Sequence, residues 1–290
     1  MTDEFKGLCL GIVGVAIFSV TLPATRIAVT GLDPVVVGLG RAVVAAAVAA
    51  MILLALRQRP PQGQWAKLLV VGLGVVVGFP LFATIAMKSA PAAHGAVMLG
   101  VLPLATSAAG AILGRERPSL GFWLLALLGS GLVVSFALIE GVGRLSAADL
   151  WLLAAVVSAG IGYAVGGELS RTLGGWQVIC WALVAALPLI LPPVLWVLPA
   201  VAWRQPWPVW AAFAYVALFS QLIGFFAWNR GLALGGVARV SQVQLLQLFM
   251  TLGVAWALLG EPIGGATLGF GVAVVATVAL GRRMPVRRKD

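Results

Sequence analysis

Hydrophobic positions in this chain come in long runs separated by short polar breaks. A helix rising about 1.5 Å per residue needs about twenty apolar residues to cross roughly 30 Å of hydrocarbon. The runs lie at about 7–29, 35–56, 66–87, 92–113, 120–138, 150–170, 178–198, 209–232, 237–259 and 266–280. They do not alternate apolar and polar residues over about ten positions, as the strands of a membrane barrel do. The pattern predicts an all-α integral membrane protein with ten transmembrane helices. The breaks are short, so consecutive helices must be neighbours, and no loop can hold a soluble domain. The first run is too long for a signal-peptide core and has no small-residue cleavage site after it. It is expected to stay as a signal anchor.

Composition agrees with the pattern. The chain is 61% hydrophobic and 10% charged, too little charge to clothe a soluble domain of 290 residues. The formal net charge is +10, and its densest cluster is Arg282, Arg283, Arg287, Arg288 and Lys289, after the last run. Placed there, it reads as a topology signal facing anionic lipid, so a lipid bilayer is expected as partner and nucleic acid is not. With the N-terminus in the cytoplasm, the inner side collects that tail with Lys6, Arg57, Arg59, Lys67, Arg115, Arg117, Arg171, Arg230 and Arg239. The outer side holds only Lys88, Arg144 and Arg204, while Arg26 and Arg41 fall within or near runs and stay uncounted. Both termini are therefore expected inside. Cys9 and Cys180 sit in apolar runs without CxxC spacing and read as buried thiols, neither disulfide nor metal ligands.

A shift of 145, half the chain, brings up an internal echo. The stretch from Ala90 to Pro118 opens on Pro91 and the only histidine, His94, and closes on Arg115-Glu116-Arg117-Pro118. Its counterpart opens on Gly236-Val237-Ala238-Arg239 and closes on Gly260-Glu261-Pro262. Ala93 falls on Ala238, Thr106 on Thr251, Glu116 on Glu261, Arg26 on Arg171, and Phe18 on Tyr163. The ten runs divide into five plus five, an N-terminal repeat over 1–144 and a C-terminal repeat over 145–290, together one membrane domain. A repeat with an odd number of crossings enters the membrane in opposite senses in its two copies. Two inverted five-helix repeats enclose a central cavity whose mouth can alternate between the two sides. That points to a transporter.

Polar and helix-breaking residues inside the runs are the candidate machinery. Pro23, Pro80, Pro103 and Pro188 each remove a backbone donor and free a carbonyl on the preceding turn. Each reads either as tolerated packing or as a hinge, and Pro80 and Pro103 lie closest to mid-span. The ninth run is richest in polar groups: Ser241, Gln242, Gln244, Gln247 and Thr251. Ser241, Gln244 and Leu248 share one helical face, and Gln244, Gln247 and Thr251 an adjoining one. Amides at that depth either hydrogen-bond across helices or face a wet cavity. Gln221, Phe225 and Trp228 form a polar and aromatic stripe in the eighth run. Phe79 and Phe82 flank Pro80, as the walls of a pocket for an apolar side chain. His94 reads as a structural residue at a helix start or as a reader of a carboxylate or proton. Glu168 stands a turn from Arg171 and is expected to pair with it. Glu116 and Glu261 precede helices and read as caps. Glycines four apart (Gly7 and Gly11, Gly74 and Gly78, Gly110 and Gly114, Gly265 and Gly269) predict close helix contacts. The chain has no HExxH, GxSxG or phosphate loop, so no enzyme activity, metal or cofactor is expected.

On these features the chain resembles the drug/metabolite transporter superfamily, EamA type. The matching pieces are Ala90-Pro91-Ala92-Ala93-His94 through Pro103 to Gly114-Arg115-Glu116, and Gly235-Gly236-Val237-Ala238 through Leu259-Gly260-Glu261. Within it the chain is most similar to YddG-like amino-acid exporters of bacterial inner membranes. The resemblance implies a basket of ten helices around a cavity, lined by the first, third, fourth, sixth, eighth and ninth, with the fifth and tenth outside. It implies alternating-access export of aromatic and other neutral amino acids or similar small metabolites. Small multidrug exporters of related fold carry a glutamate in mid first helix. Here that region reads Gly14-Val15-Ala16-Ile17-Phe18-Ser19, with no acid. A zwitterion or neutral solute therefore fits better than a cation. The expected substrate wall is Phe79, Phe82, His94, Tyr163, Gln221, Trp228, Ser241 and Gln244, and the expected hinges are Pro23, Pro80 and Pro103. A monomer is expected. The rival readings are a drug or organic-cation exporter and, from another class, a non-transporting membrane assembly or sensory partner.

Overall fold

The computed structural model describes residues 3–113, 116–140, 145–201, 203–236, 240–281, 284 and 286–288. Gly114, Arg115, Arg144, Val237, Ala238, Arg239, Arg282, Arg283 and Lys289 lie outside them, as do the side chains of Glu116, Arg117, Gln242, Arg287 and Arg288.

Seven helices are long and apolar enough to cross a membrane: α1 Asp3–Ala28, α2 Val36–Ala55, α3 Trp65–Met87, α4 Ala92–Leu113, α6 Ala147–Leu173, α7 Gly175–Ala200 and α8 Trp207–Gly235. The others among the described residues are α5 Leu120–Glu140, α9 Gln244–Leu259 and α10 Gly265–Gly281, whose apolar stretches are shorter. Apart from helices the described residues form one small antiparallel ribbon, in which Glu116–Pro118 pairs with Val286–Arg288, Glu116 opposite Arg288. The ribbon holds the α4–α5 connection and the chain after α10 on one side of the bundle.

Packing follows the small residues. Helix α1 lies along α8, where Gly7, Gly11 and Gly14 face Gly231, Gly235 and Trp228. Helix α3 lies along α6, where Gly74 and Gly78 meet Ser158 and Gly162. Without Cβ atoms in the way the backbones approach closely, and dispersion between them replaces the hydrophobic drive that lipid cannot supply. Further pairs are α2 with α7, α4 with α6, α4 with α9, α1 with α9, and α5 with α10. The expected contacts at Gly110, Gly265 and Gly269 are absent: a Cβ there would meet nothing within 4 Å. Those helices present these glycines away from their neighbours.

Three departures from regular α-helix follow the prolines. Helix α1 breaks at Val20, beside Ser19, whose carbonyl stands four residues before Pro23. In α3 the backbone widens to a π turn over Gly72–Gly78, which ends two residues before Pro80. In α4 it tightens to a 3₁₀ turn over Leu99–Val101, which ends two residues before Pro103. Pro188 behaves differently. It sits within the continuous helix Gly175–Val197 and faces outward. Two further π turns, Val36–Gly40 in α2 and Tyr215–Ile223 in α8, have no proline after them.

Two expectations about single residues are corrected. Cys180 is buried, but Cys9 is exposed, because α1 turns its glycine face inward and Cys9 outward. Glu168 pairs with Lys67 at 3.5 Å across the α3–α6 contact, not with Arg171 a turn away. Both side chains are more than half exposed, so the pair adds little to stability.

Candidate functional site

The three π turns meet in one hydrogen-bonded chain near the middle of α3 and α8. In a π turn each N–H reaches the carbonyl five residues back. Phe79 does so, donating to the Gly74 carbonyl. The next residue is Pro80, which has no N–H, so the Val75 carbonyl loses its donor. Gln221 supplies one: its Nε2 donates to Val75 O at 3.0 Å. With the amide nitrogen so fixed, Gln221 Oε1 points at Arg41 and accepts from its Nε at 3.0 Å. Arg41 directly follows the π turn of α2, Val75 lies in that of α3, and Gln221 in that of α8. Gln221 is 0% and Arg41 2% exposed.

Near this chain is an aromatic cluster that includes Tyr163, which lies within electrostatic reach of Arg41 and next in sequence to Gly162, packed on Val75. Tyr163 meets Phe225 at 6.0 Å and Trp228 at 5.6 Å between ring centroids. Phe18 meets the same two rings at 5.1 and 6.2 Å. Phe18 and Tyr163, equivalent under the shift of half the chain, thus converge on one aromatic pair. Thr21 and Ser220 hydroxyls join α1 to α8 close by in sequence, 2.8 Å apart.

A cavity of about 10 Å³ lies between α1, α4 and α9, lined by Leu22, Ala96, Leu99, Gly100, Leu102, Gln244, Gln247, Leu248 and Thr251. That is room for about one water molecule. That space is too small for a solute of amino-acid size. The four residues of α9 that the helical period puts on adjoining faces do line what space remains. Several buried polar atoms have no partner: both amide atoms of Gln244, the indole N–H of Trp228, and the hydroxyls of Thr25 and Thr84.

The remaining predicted residues lie elsewhere. Phe82 stacks on Trp151 at 5.6 Å in the α3–α6 contact, and Phe79 is half-buried. Ser241 is fully buried in the 3₁₀ turn before α9. His94 finds its carboxylate within the chain: Nε2 lies 2.6 Å from Asp149 Oδ1, and the ring stacks on Phe136. Asp149 also completes a capping box with Ser146 at the start of α6. Glu261 caps a helix, though not the one that follows it. Its two oxygens accept the N–H groups of Ala92 and Ala93 at the start of α4.

Sequence reasoning left out Arg41 and Asp149. Arg41 stays uncounted there as a charge within or near a run, although a basic residue six positions past the start of an apolar run is itself a signal of function. Asp149 sits where a polar loop seemed to end.

Comparison with known proteins decides the family. The profile of the EamA-like transporter family matches residues 5–137 and again residues 146–281. The chain belongs to the EamA-like transporter family. It is 46% identical over 284 residues to the Bacillus subtilis (strain 168) "Uncharacterized transporter YdeK", covering 98% of this chain and 99% of that one. It is 25% identical over 204 residues to "Uncharacterized transporter YyaM" of the same organism, 67% of this chain and 66% of that one. A crystal structure 19% identical in sequence superposes with a TM-score of 0.67 over 96% of each chain, a likeness of fold alone. This EamA-family chain is a multi-pass membrane transporter of a small molecule, not an enzyme.

Proposed function

We propose that this EamA-family transporter exports amino acids, aromatic and other neutral ones, or similar small metabolites, across a bacterial inner membrane by alternating access. It works as a monomer with both termini in the cytoplasm. Its ten helices cross as two inverted repeats, 1–144 and 145–290. The packing supports the repeat: under the half-chain shift the pair α1–α8 becomes α6–α3, and α4–α6 becomes α9–α1, all of them observed contacts. The π turns Gly72–Gly78 and Tyr215–Ile223 fall at matching places in the third helix of each half. Irregular helices at mid-depth between repeats are where transporters of this design hold their solutes.

The observation that carries the reading is the set of unpartnered polar atoms on Gln244, Trp228, Thr25 and Thr84 inside an apolar bundle. Such groups are costly without partners. A polar solute in the opened cavity would satisfy them, and its apolar body would rest on Phe18, Tyr163, Phe225 and Trp228. Tyr163, Gln221, Trp228 and Gln244 are then the principal contacts, with Phe79, Phe82, His94 and Ser241 behind them. Pro23, Pro80 and Pro103 are the hinges at which the interrupted turns reshape.

Liposomes carrying the purified protein should exchange labelled amino acids from a panel, tested with and without a pH gradient. Gln244→Ala and Tyr163→Ala should change the rates while the protein still folds. Absence of flux with every amino acid removes the substrate class. An organic cation is the second reading, since four aromatic faces attract one. The cation of Arg41 beside Tyr163 opposes it, and competition between a quaternary amine and an amino acid decides.

A further inference from the structure

Arg41 is a buried charge for which the described residues supply no counter-ion. Among the described residues the ion pairs are Lys6 with Asp3, Lys67 with Glu168, and His94 with Asp149. No carboxylate comes within pairing distance of Arg41, and its one hydrogen bond is from Nε to Gln221. A guanidinium has two forked edges, each able to grip a carboxylate through two parallel N–H bonds. Gln221 occupies the edge that includes Nε. The end-on edge, formed by the two Nη groups, has no acceptor among the described residues.

Burying such a charge at membrane depth is expensive, and ionisable residues kept there mark solute paths. The depth follows from its partners, since Val75 and Gln221 stand near the middle of α3 and α8. The amide of Gln221 cannot turn over, because Val75 O holds its nitrogen. The guanidinium is therefore held in one orientation; Tyr163, part of the aromatic cluster, lies within its electrostatic reach, and the neighbouring Gly162 packs on Val75. A cation, a rigid mount and an adjacent apolar wall together describe a receptor for an anion carried on an apolar body.

We propose that Arg41 binds the carboxylate of the transported solute through its end-on Nη edge, so that the site selects molecules with a carboxylate beside an apolar or aromatic side chain. The inference rests on the amino-acid reading above for its solute class. It adds which protein group reads which solute group. It also gives occupancy a mechanical consequence. A pull on Arg41 passes through Gln221 to Val75 and so to three π turns, each a place where a helix can shift register by one residue.

The test uses the full chain and four related probes: L-phenylalanine, its methyl ester, 3-phenylpropionate and phenethylamine. In liposomes, unlabelled L-phenylalanine and 3-phenylpropionate should compete with labelled L-phenylalanine on the order of tenfold better than the ester or the amine. Arg41→Gln should erase that preference and raise the apparent KM for the acids, and Arg41→Lys should keep part of it. If the Arg41→Gln protein does not fold, the wild-type ranking alone decides. Equal competition by acid, ester and amine overturns the role of Arg41 while leaving amino-acid transport standing. If no phenylalanine moves, thermal unfolding in detergent separates the two ideas. A rise in midpoint with 3-phenylpropionate but not phenethylamine, lost in Arg41→Gln, upholds Arg41 and removes the amino-acid reading. With neither flux nor such a rise, the inference is overturned.

Discussion

Glu261 holds the start of a helix that lies far from it in sequence: its carboxylate accepts from the backbone N–H of Ala92 at 2.9 Å, and its second oxygen from Ala93 at 2.8 Å. Pro91 stands at the N-cap of α4 and offers no side-chain cap of its own, so the free N–H groups of the first turn need an outside acceptor. An anion there also meets the positive end of the helix dipole. Glu261→Ala should lower the unfolding midpoint in detergent, at a cost of about 0.5–2 kcal/mol. Glu261→Gln should recover part of the loss, because an amide oxygen still accepts one bond. Equal stability of all three proteins would show that the cap is idle.

A buried carboxylate ties α4 to α6. Asp149 accepts from the Ser146 backbone N–H at 2.7 Å and stands 2.6 Å from His94. Asp149→Asn and His94→Ala should each destabilise the protein, and together cost less than their sum. The coupling expected for groups in direct contact is about 0.5–3 kcal/mol. Ser146→Ala, which removes the hydroxyl that accepts from the Asp149 N–H and donates to its carboxylate, should cost about 1 kcal/mol. A double-mutant cycle on unfolding midpoints measures both quantities.

Close backbone approach makes a third prediction with an internal control. A Cβ at Gly74 would come within 2.7 Å of the Ser158 carbonyl and 2.8 Å of Gly162 Cα. Backbone atoms cannot yield as a flexible side chain would, so Gly74→Ala should separate α3 from α6 and cost more than about 1 kcal/mol. At Gly110 the same substitution meets nothing within 4 Å. There Ala should stabilise the helix by about 0.5–1 kcal/mol through its lower conformational entropy in the unfolded chain. Monodispersity and unfolding midpoints of the two variants compare them directly.

Hydropathy located the helices to within a few residues because lipid imposes one simple rule on them. The fourth run, 92–113, coincides with α4, and the second, 35–56, differs from α2 by one residue at each end. The largest difference is at α9, which starts at Gln244 where the run starts at 237; α1 and α6 start four and three residues before their runs, in polar turns. Helix α6 begins at Ala147, three residues before the run was read, because Ser146 and Asp149 cap it with side chains that look like loop. The proline reading found where backbones depart from α-helix at Val20, Gly72–Gly78 and Leu99–Val101, since a missing N–H acts locally. It did not find the π turns at Val36–Gly40 and Tyr215–Ile223, which no local residue dictates. Partners were hardest to read. That Gln221 joins Arg41 to Val75, or that Glu168 reaches Lys67, depends on which helices meet, and periodicity gives a face without naming its neighbour.

Gln244 separates stability from function most cleanly. It is 4% exposed, lines the small cavity, and neither its amide oxygen nor its nitrogen has a partner in this closed form. Gln244→Leu removes two unsatisfied polar atoms and keeps most of the volume. The closed protein should then gain stability, by about 1–3 kcal/mol if both groups bear their full desolvation cost. Transport should fall, because the solute loses a hydrogen-bonding partner and the closed form becomes harder to leave. A higher unfolding midpoint together with slower exchange in liposomes is the expected pair of results. A lower midpoint would mean that the amide is bonded in the closed form, and unchanged exchange would remove Gln244 from the solute path.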